Sequence, residues 1–131
     1  MRSLACAFVL LAACSDDGGT TLPDAAATID APGSTATVME VSCTGITPAA
    51  MVVTTDASFS YMPAATTISV GQVVRFTTST SHNVAPNPSA AKTDPGLAVG
   101  FNKTACLKFT ATGTFGFFCM PHGFVGTVTV N

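Results

Sequence analysis

The stretch Phe115–His122, which reads FGFFCMPH, and the stretch Val125–Val130, which reads VGTVTV, decide how this chain folds. In the first stretch, every second side chain from Phe115 to Cys119 lies on one face of an extended strand, and in the second Val and Thr alternate. Such alternation is typical of strands that bury one face in a core. Cys119 and His122 stand three positions apart, just after the first strand. The sequence therefore predicts two strands joined by a short turn that carries a compact pair of metal ligands.

Outside these two strands, the chain from residue 36 onward consists of short segments rich in Val, Thr, Ile and Phe, separated by turns. No window has a convincing helical period. Short strands at this spacing indicate an all-β sandwich or barrel of about seven to eight strands. From the alternation we expect these side chains to form the buried faces: Ile68, Val70, Val74, Phe76, Phe115, Phe117, Cys119, Val128 and Val130.

The composition limits the size of the fold and the class of partner. At 131 residues the chain has room for one domain. Charged residues make up only 9% of the chain, the formal net charge is −2, and the basic residues form no stripe. A nucleic acid is therefore not an expected partner.

The chain's only other histidine, His82, lies upstream in the sequence Ser81-His82-Asn83-Val84. Two His and one Cys are the protein ligands of a trigonal blue-copper site. Zinc also accepts these side chains but prefers four ligands in a tetrahedron, and only three are evident here. Without a metal, Cys119 and His122 would be a buried thiol and an imidazole in a turn.

Three separated motifs, in the correct order, resemble the plastocyanin family. Residues 113–122 are similar to its pattern G-T-(Y/F)-x-F-(Y/F)-C-x-P-H, and residues 125–131 to its last strand. Residues 59–84 resemble its run F…P…I-x-V-G…V-x-F…H-N-V. The resemblance implies a cupredoxin, which is a Greek-key β-sandwich that binds one copper for electron transfer. It also implies that His82, Cys119 and His122 are the copper ligands and that Asn83 ties the two ligand loops together.

The sequence departs from the family pattern at the axial position. The family usually has a Met, sometimes a Gln, three to five residues after the second His, whereas Phe124 or Val125 occupies that region here. We expect Met120, which precedes His122, to turn outward. This departure from the family pattern predicts a three-coordinate copper, with the carbonyl oxygen of Ser81 as the candidate for a distant axial contact.

Residues 1–13 have the features of an export signal. A positive charge at Arg2 precedes an apolar stretch that is too short to span a bilayer. Leu11–Cys14, which reads LAAC, resembles the lipobox of bacterial lipoproteins, cut before Cys14, which then carries lipid. Ser15 resembles a signal for sorting to the outer membrane. The alternative is an ordinary signal peptide without a lipid anchor.

The residues after the predicted cleavage divide into a tether and a domain. Residues 14–35 lack aromatic side chains and are rich in Asp, Gly, Ala, Thr and Pro, so we expect a disordered tether after the lipidated Cys14. Residues 36–131 then form the copper-binding domain, which faces the periplasm as a monomer and touches the membrane only through its anchor.

Two cysteines remain once Cys6, Cys14 and Cys119 have been assigned to the signal, the lipid and the copper. Cys43 and Cys106 both lie in predicted strand regions, in a compartment where disulfides persist. The cysteine count predicts that they form a disulfide. Two buried free thiols are the alternative.

The residues and the resemblance together favour a carrier of single electrons. We expect Met120, Pro121 and Phe124 to form an apolar patch on which a redox partner docks weakly and transiently. A copper-binding or copper-delivery protein is the main alternative, although the methionines are scattered. A copper enzyme is not expected, because two histidines cannot furnish a second His-rich centre.

Overall fold

The computed structural model describes residues 36–131, and within this range it contains nine β-strands and no helix. The strands are β1 (Val38–Val41), β2 (Ala50–Thr55), β3 (Ser58–Met62), β4 (Ala65–Ile68), β5 (Val73–Thr77), β6 (Ala85–Pro86), β7 (Thr104–Phe109), β8 (Gly113–Phe118) and β9 (Val125–Val130). The two-residue strand β6 brings the number above the seven to eight that the sequence predicts.

The nine strands form two sheets, one in the order β1-β7-β5-β2-β3 and the other in the order β4-β9-β8-β6. Most neighbouring strands are antiparallel, but β2 pairs with β5, and β4 with β9, in parallel. Because parallel neighbours cannot be joined by a hairpin, the chain crosses between the sheets. This arrangement confirms the all-β sandwich and is consistent with a Greek-key order.

A single cluster of buried side chains, drawn from both sheets, forms the core. It includes Ile68, Val74, Phe76, Phe115, Phe117, Cys119, Val128 and Val130, as the alternation predicts. The prediction was wrong for Val70, which is 46% exposed. Pairing of β4 with β9 ends at Ile68, and Val70 lies in the turn that follows, where strand alternation no longer applies.

Gly126 allows the two strands that flank the predicted ligand turn to pack closely. It lies opposite Phe117 in the β8–β9 register, and a Cβ atom at Gly126 would come within 2.5 Å of the Phe117 ring. That ring in turn packs edge-on against Phe76 and Tyr61, with centroid distances of 5.4 and 4.7 Å. A larger residue at position 126 would therefore push the aromatic core apart.

Cys43 and Cys106 form a disulfide. Their Cα atoms lie 5.4 Å apart, and their sequence separation is 63. Cys106 lies in β7 and is fully buried, whereas Cys43 follows the edge strand β1. Antiparallel pairing of β1 with β7 aligns Val41 with Cys106, and this register brings Cys43 within reach. The predicted pairing is confirmed.

The signal peptide predicted for residues 1–13 and the lipidated tether predicted for residues 14–35 lie outside the described residues. Within residues 36–131, no helix is long and apolar enough to cross a membrane.

Candidate metal centre

The three predicted ligands lie on two loops that strand pairing brings side by side. His82 follows β5, and Cys119 and His122 lie in the loop between β8 and β9. The short strand β6 pairs with the end of β8, so that Ala85 lies opposite Phe118. Because Phe118 directly precedes Cys119, this register places the segment around His82 beside the second loop.

His122 connects the other two predicted ligands. Its Nδ1 atom lies 3.7 Å from the Cys119 Sγ atom. Its ring centroid lies 4.8 Å from that of His82, and the two rings meet edge to face. The structure therefore groups all three side chains, although Cys119 and His82 are linked here only through His122.

The two histidines differ in their exposure to solvent. His82 and the Cys119 thiol are fully buried, whereas His122 lies on the surface. His82 precedes the buried segment Val84–Ala85, whereas His122 lies in an exposed loop, and this accounts for the difference. A metal held by all three would be approached from solvent through the His122 ring.

One buried polar atom in this region has no hydrogen-bond partner among the described residues, and it is Nε2 of His82. The other ring nitrogen, Nδ1, lies 3.1 Å from the Ser79 hydroxyl. An unpartnered ring nitrogen at full burial is costly, and a metal is one way to satisfy it. An imidazole nitrogen and a thiol, both buried, are donors that suit copper.

Within residues 36–131, no group of three or more His, Cys, Asp or Glu side chains already has an arrangement that could hold a metal ion. The contacts described above join the ligands pairwise around His122 instead of around one central point. The ligand set His82, Cys119 and His122 therefore stays a prediction.

Backbone hydrogen bonds close the loop that carries Cys119 and His122. The Cys119 N–H donates to the Phe124 carbonyl at 2.9 Å, and the Gly123 N–H donates to the Cys119 carbonyl at 2.8 Å. Gly123 has a φ of 73°, in the left-handed region that glycine adopts at little cost. The tight closure fixes the spacing between the thiol and the imidazole.

Asn83 links the two ligand loops. Its Oδ1 atom accepts a hydrogen bond of 2.9 Å from the N–H of Met120, which lies 37 positions further along the chain. Asn83 is buried and lies next to His82, and Met120 lies next to Cys119. This single contact therefore couples the positions of the two buried side chains predicted as ligands, His82 and Cys119.

Aromatic side chains from strand β3 and from the β8–β9 loop surround the histidines. Phe124 meets His82 edge to face at 4.9 Å, and Phe59 meets His122 in the same way at 4.9 Å. Phe124 also packs against Tyr61 with a centroid distance of 4.7 Å. Phe59 is 66% exposed, so it covers the site from the solvent side, while Phe124 and Tyr61 cover it from the core.

The buried position of Tyr61 changes the pKa of its phenol. Burial raises the pKa of the Tyr61 phenol well above its ordinary value, and the nearby Cys119 thiolate would raise it further. Tyr61 therefore remains a neutral hydrogen-bond donor throughout the physiological pH range.

The two residues predicted to occupy the axial region lie in different surroundings. Phe124 is half-buried and packs against the His82 ring, whereas Val125 is 56% exposed at the start of β9. Ser81, predicted as a distant axial contact, uses its N–H and hydroxyl to donate to Asp56. Of these three residues, Phe124 is the one that packs against a predicted ligand ring.

The predicted docking patch also contains both exposed and half-buried residues. Met120 is 64% exposed, and Pro121 and His122 are exposed beside it. Phe124 packs partly into the core and offers less surface. Sequence reasoning did not include Phe59, whose exposed ring meets both histidines.

Sequence reasoning also missed the polar residues that contact the His82 segment, namely Ser79, Asp56 and Tyr61. Ser79 stands three positions before His82, and that spacing was the one local signal. Asp56 and Tyr61 belong to a hairpin more than twenty positions upstream of their partners, and nothing in the sequence links them to the site.

Comparison with known protein families gives a match over residues 48–131. Residues 48–131 match the sequence profile of the family described as "Copper binding proteins, plastocyanin/azurin family". The match includes eight of the nine strands, β2 to β9, and all three predicted ligands. A search of curated proteins finds none with significant similarity to the chain.

Several solved structures of amicyanin share the fold. A reduced Trp-to-Tyr mutant is 22% identical with a TM-score of 0.53, and the alignment covers 72% of this chain and 99% of that one. Amicyanin from Paracoccus versutus is 20% identical with a TM-score of 0.52, covering 73% and 99%. The Cu(I) form of a Met-to-Gln mutant is 23% identical with a TM-score of 0.52, covering 72% and 99%. At these identities the likeness concerns the fold alone.

Proposed function

We propose, from the premise that this chain belongs to the plastocyanin/azurin family of copper-binding proteins, that it carries single electrons outside the cytoplasm. Copper is the cofactor, and in our proposal His82, Cys119 and His122 hold one ion. The observation that carries the proposal is the buried, unpartnered Nε2 atom of His82, whose ring meets that of His122, which in turn lies against the Cys119 thiol. A bound copper supplies a one-electron couple that thiolate and imidazole ligands accommodate in both oxidation states.

The surrounding residues favour a site whose geometry changes little. The buried side chain of Asn83 joins the two loops through the Met120 N–H, and backbone hydrogen bonds to Phe124 and from Gly123 close the second loop. The half-buried Phe124 and the buried Tyr61 exclude water from the inner side of the site. When the donor atoms are fixed and dry, little reorganisation accompanies a change of charge, and electron transfer is fast.

Reversible redox cycling tests this function directly. We expect metal-free protein to take up one equivalent of Cu(II) and to develop an intense visible thiolate-to-copper band. A one-electron reductant should bleach the band and an oxidant should restore it over repeated cycles, measured by absorption. If the protein instead loses its copper to a Cu(I) chelator at each reduction, the delivery function is favoured and the carrier function is wrong.

Copper held by His82, Cys119 and His122 would have no sulfur donor from the residues that follow His122, where Phe124 lies instead. Phe124 is the side chain after His122 that packs against a ligand ring, and its ring offers no lone pair. The blue-copper reduction potential depends on the axial ligand. Without an axial donor, Cu(II) is less stabilised relative to Cu(I), and a high potential for this class follows.

Electrons would enter and leave through His122, which is the exposed member of the ligand set. Met120 and Pro121 border it with exposed apolar surface, and Phe59 and Phe124 complete the border. No Lys, Arg, Asp or Glu lies among these border residues. Weak apolar docking of a redox protein partner, with little dependence on salt, suits such a surface.

A charge on this border should slow electron transfer without changing the copper site. We expect Met120→Lys to lower the rate of exchange with a redox partner by roughly ten-fold while the visible band is retained, because a desolvated charge opposes docking. Met39→Lys on β1 is the matched control. Met39 is 46% exposed, and β1 forms the edge of the five-stranded sheet opposite to β3, the strand that carries the border residue Phe59. Equal rates in the two variants, measured by stopped-flow mixing, would exclude the Met120 surface.

Export and anchoring rest on the sequence motif around Cys14. We propose that the lipidated Cys14 anchors the domain at the outer membrane, facing the periplasm, where the Cys43–Cys106 disulfide is stable. The Cys14→Ser variant should leave the detergent phase and the membrane fraction, measured by phase partitioning and fractionation. A wild-type protein that is already absent from the membrane fraction would show that the ordinary signal peptide is correct.

A further inference from the structure

The segment Ser79–Asn83, which contains His82, is held by side chains of the β2–β3 hairpin on both sides of the histidine. Thr54 at the end of β2 makes the first contact. Its Oγ1 atom accepts a hydrogen bond of 2.9 Å from the Ser79 N–H and lies 3.3 Å from the Ser79 hydroxyl. That hydroxyl lies 3.1 Å from Nδ1 of His82. A hydrogen-bonded chain therefore runs from the hairpin to the imidazole ring.

Asp56, in the turn between β2 and β3, makes the second set of contacts. Its Oδ1 atom accepts hydrogen bonds from the N–H and the hydroxyl of Ser81, at 3.0 and 2.5 Å, and its Oδ2 atom accepts one from the Thr80 hydroxyl at 2.8 Å. The hydrogen bonds from Ser81, followed by those from Thr80, hold the pKa of the Asp56 carboxyl well below its usual range. One carboxylate thus fixes both residues that precede His82.

Tyr61 on β3 makes the third contact. Its hydroxyl donates a hydrogen bond of 2.6 Å to the carbonyl of Asn83, the residue after His82. Tyr61 is buried and remains protonated because burial raises its pKa. Ser79, Thr80, Ser81 and Asn83 each bond to the hairpin, and His82 is the one member of the segment without a direct hydrogen bond to it.

We infer that the β2–β3 hairpin, through Thr54, Asp56 and Tyr61, sets the position of the His82 imidazole before and after metal binding. Asp56 acts as its main positioning residue. This inference rests on the proposed function in assigning His82 as a ligand. The physical reason is that the His82 ring itself makes one polar contact, to Ser79, so its position depends on the residues that flank it. Because hydrogen bonds to an ionised carboxylate are stronger than neutral ones, the Asp56 contacts should dominate.

The first measurement uses metal-free protein and does not depend on copper. In Asp56→Ala, amide hydrogen exchange at Ser81, followed by NMR, should become about ten-fold faster or more, because its acceptor is lost. The nitrogen shifts of the His82 ring should also move. Glu40→Ala is the matched control, since Glu40 is an exposed carboxylate whose contact is a surface ion pair with Lys103. It should leave both readouts unchanged.

The second measurement uses copper-loaded protein. Asp56→Ala should shift and broaden the thiolate-to-copper band and slow electron self-exchange by about ten-fold, because His82 is held less firmly. Asp56→Asn, which keeps an acceptor for the Ser81 N–H, should recover most of both properties. Tyr61→Phe, which keeps the buried ring and removes only the hydroxyl, should give a smaller change in the same direction.

The outcomes separate this inference from the proposed function. If wild-type protein gives no thiolate band, the carrier function is wrong, and the NMR measurement alone decides whether the hairpin positions His82. If Asp56→Ala behaves like Glu40→Ala in the NMR measurement, the inference is overturned. It is also overturned if Asp56→Ala speeds amide exchange while the band and the self-exchange rate of a functional copper site remain those of wild type.

Discussion

The Cys119→Ser variant, loaded with Cu(II), should lose the intense visible band completely. The band arises from charge transfer between a thiolate and copper, and Cys119 is the one cysteine among the described residues that lies outside the disulfide. Serine is close to cysteine in size, so the buried site at the end of β8 keeps its shape. Absorption spectra at matched copper content, together with circular dichroism of the metal-free variant, measure the effect.

The two histidine variants give the contrast that makes this result specific. His82→Ala and His122→Ala should each remove the band or convert it to that of an ordinary Cu(II) site, because a trigonal site needs all three donors. Persistence of the wild-type band in His82→Ala would contradict the ligand assignment. The band would then depend on the Cys119 loop alone, and the buried Nε2 atom of His82 would have another role.

Removing the Cys43–Cys106 disulfide should lower the free energy of unfolding by about 4 kcal/mol at 25 °C, the value for a closed loop of this length in the chain-entropy model. The two residues lie 63 positions apart, and the bond restricts most of the unfolded domain. Urea unfolding of the metal-free Cys43→Ala/Cys106→Ala double variant against oxidised wild type gives the difference.

Reduced wild-type protein is the control for this measurement, because it has no disulfide but keeps both sulfur atoms. We expect it to unfold at nearly the same urea concentration as the double variant. Any excess loss in the variant then reports the cavity left at Cys106, which is fully buried in β7. Equal stability of oxidised and reduced wild type would show that the bond contributes nothing.

The fold could be predicted largely from alternation and from the order of the strands. Phe115, Phe117 and Cys119 form the buried row that their spacing predicts, because β8 runs without interruption to Phe118. Val70 did not follow its pattern, because the pairing of β4 ends two residues before it. Alternation shows which face a residue occupies, but the place where a strand ends depends on its partner strand.

The candidate site could be predicted only in part, for a similar reason. Cys119 and His122 are close in sequence, and His82 and Asn83 stand in a motif that resembles a known family. Asp56 and Tyr61 take part through hydrogen bonds to a segment more than twenty positions away. Such contacts depend on how the β2–β3 hairpin packs, and a lone Asp or Tyr carries no local signal of it.

The position of β9 in its sheet has a consequence for the order in which the molecule assembles. Strand β4 has β9 as its one neighbour in the four-stranded sheet, and just beyond the paired residues the Asn131 backbone makes hydrogen bonds with those of Ile68 and Val70. These contacts join segments far apart in sequence, and closing such long loops is entropically slow. The loop carrying Cys119 and His122 leads directly into β9, so we expect both proposed ligands to be fixed only when this strand docks.

We therefore expect the proposed ligand set to be completed late in folding, with copper uptake following the docking of β9. The same coupling operates in reverse, because a transient detachment of β9 would loosen Cys119 and His122 together. Local openings of this kind cost less free energy than global unfolding. In our proposal, the lifetime of bound copper would therefore depend on how often β9 separates from its two neighbours, β4 and β8.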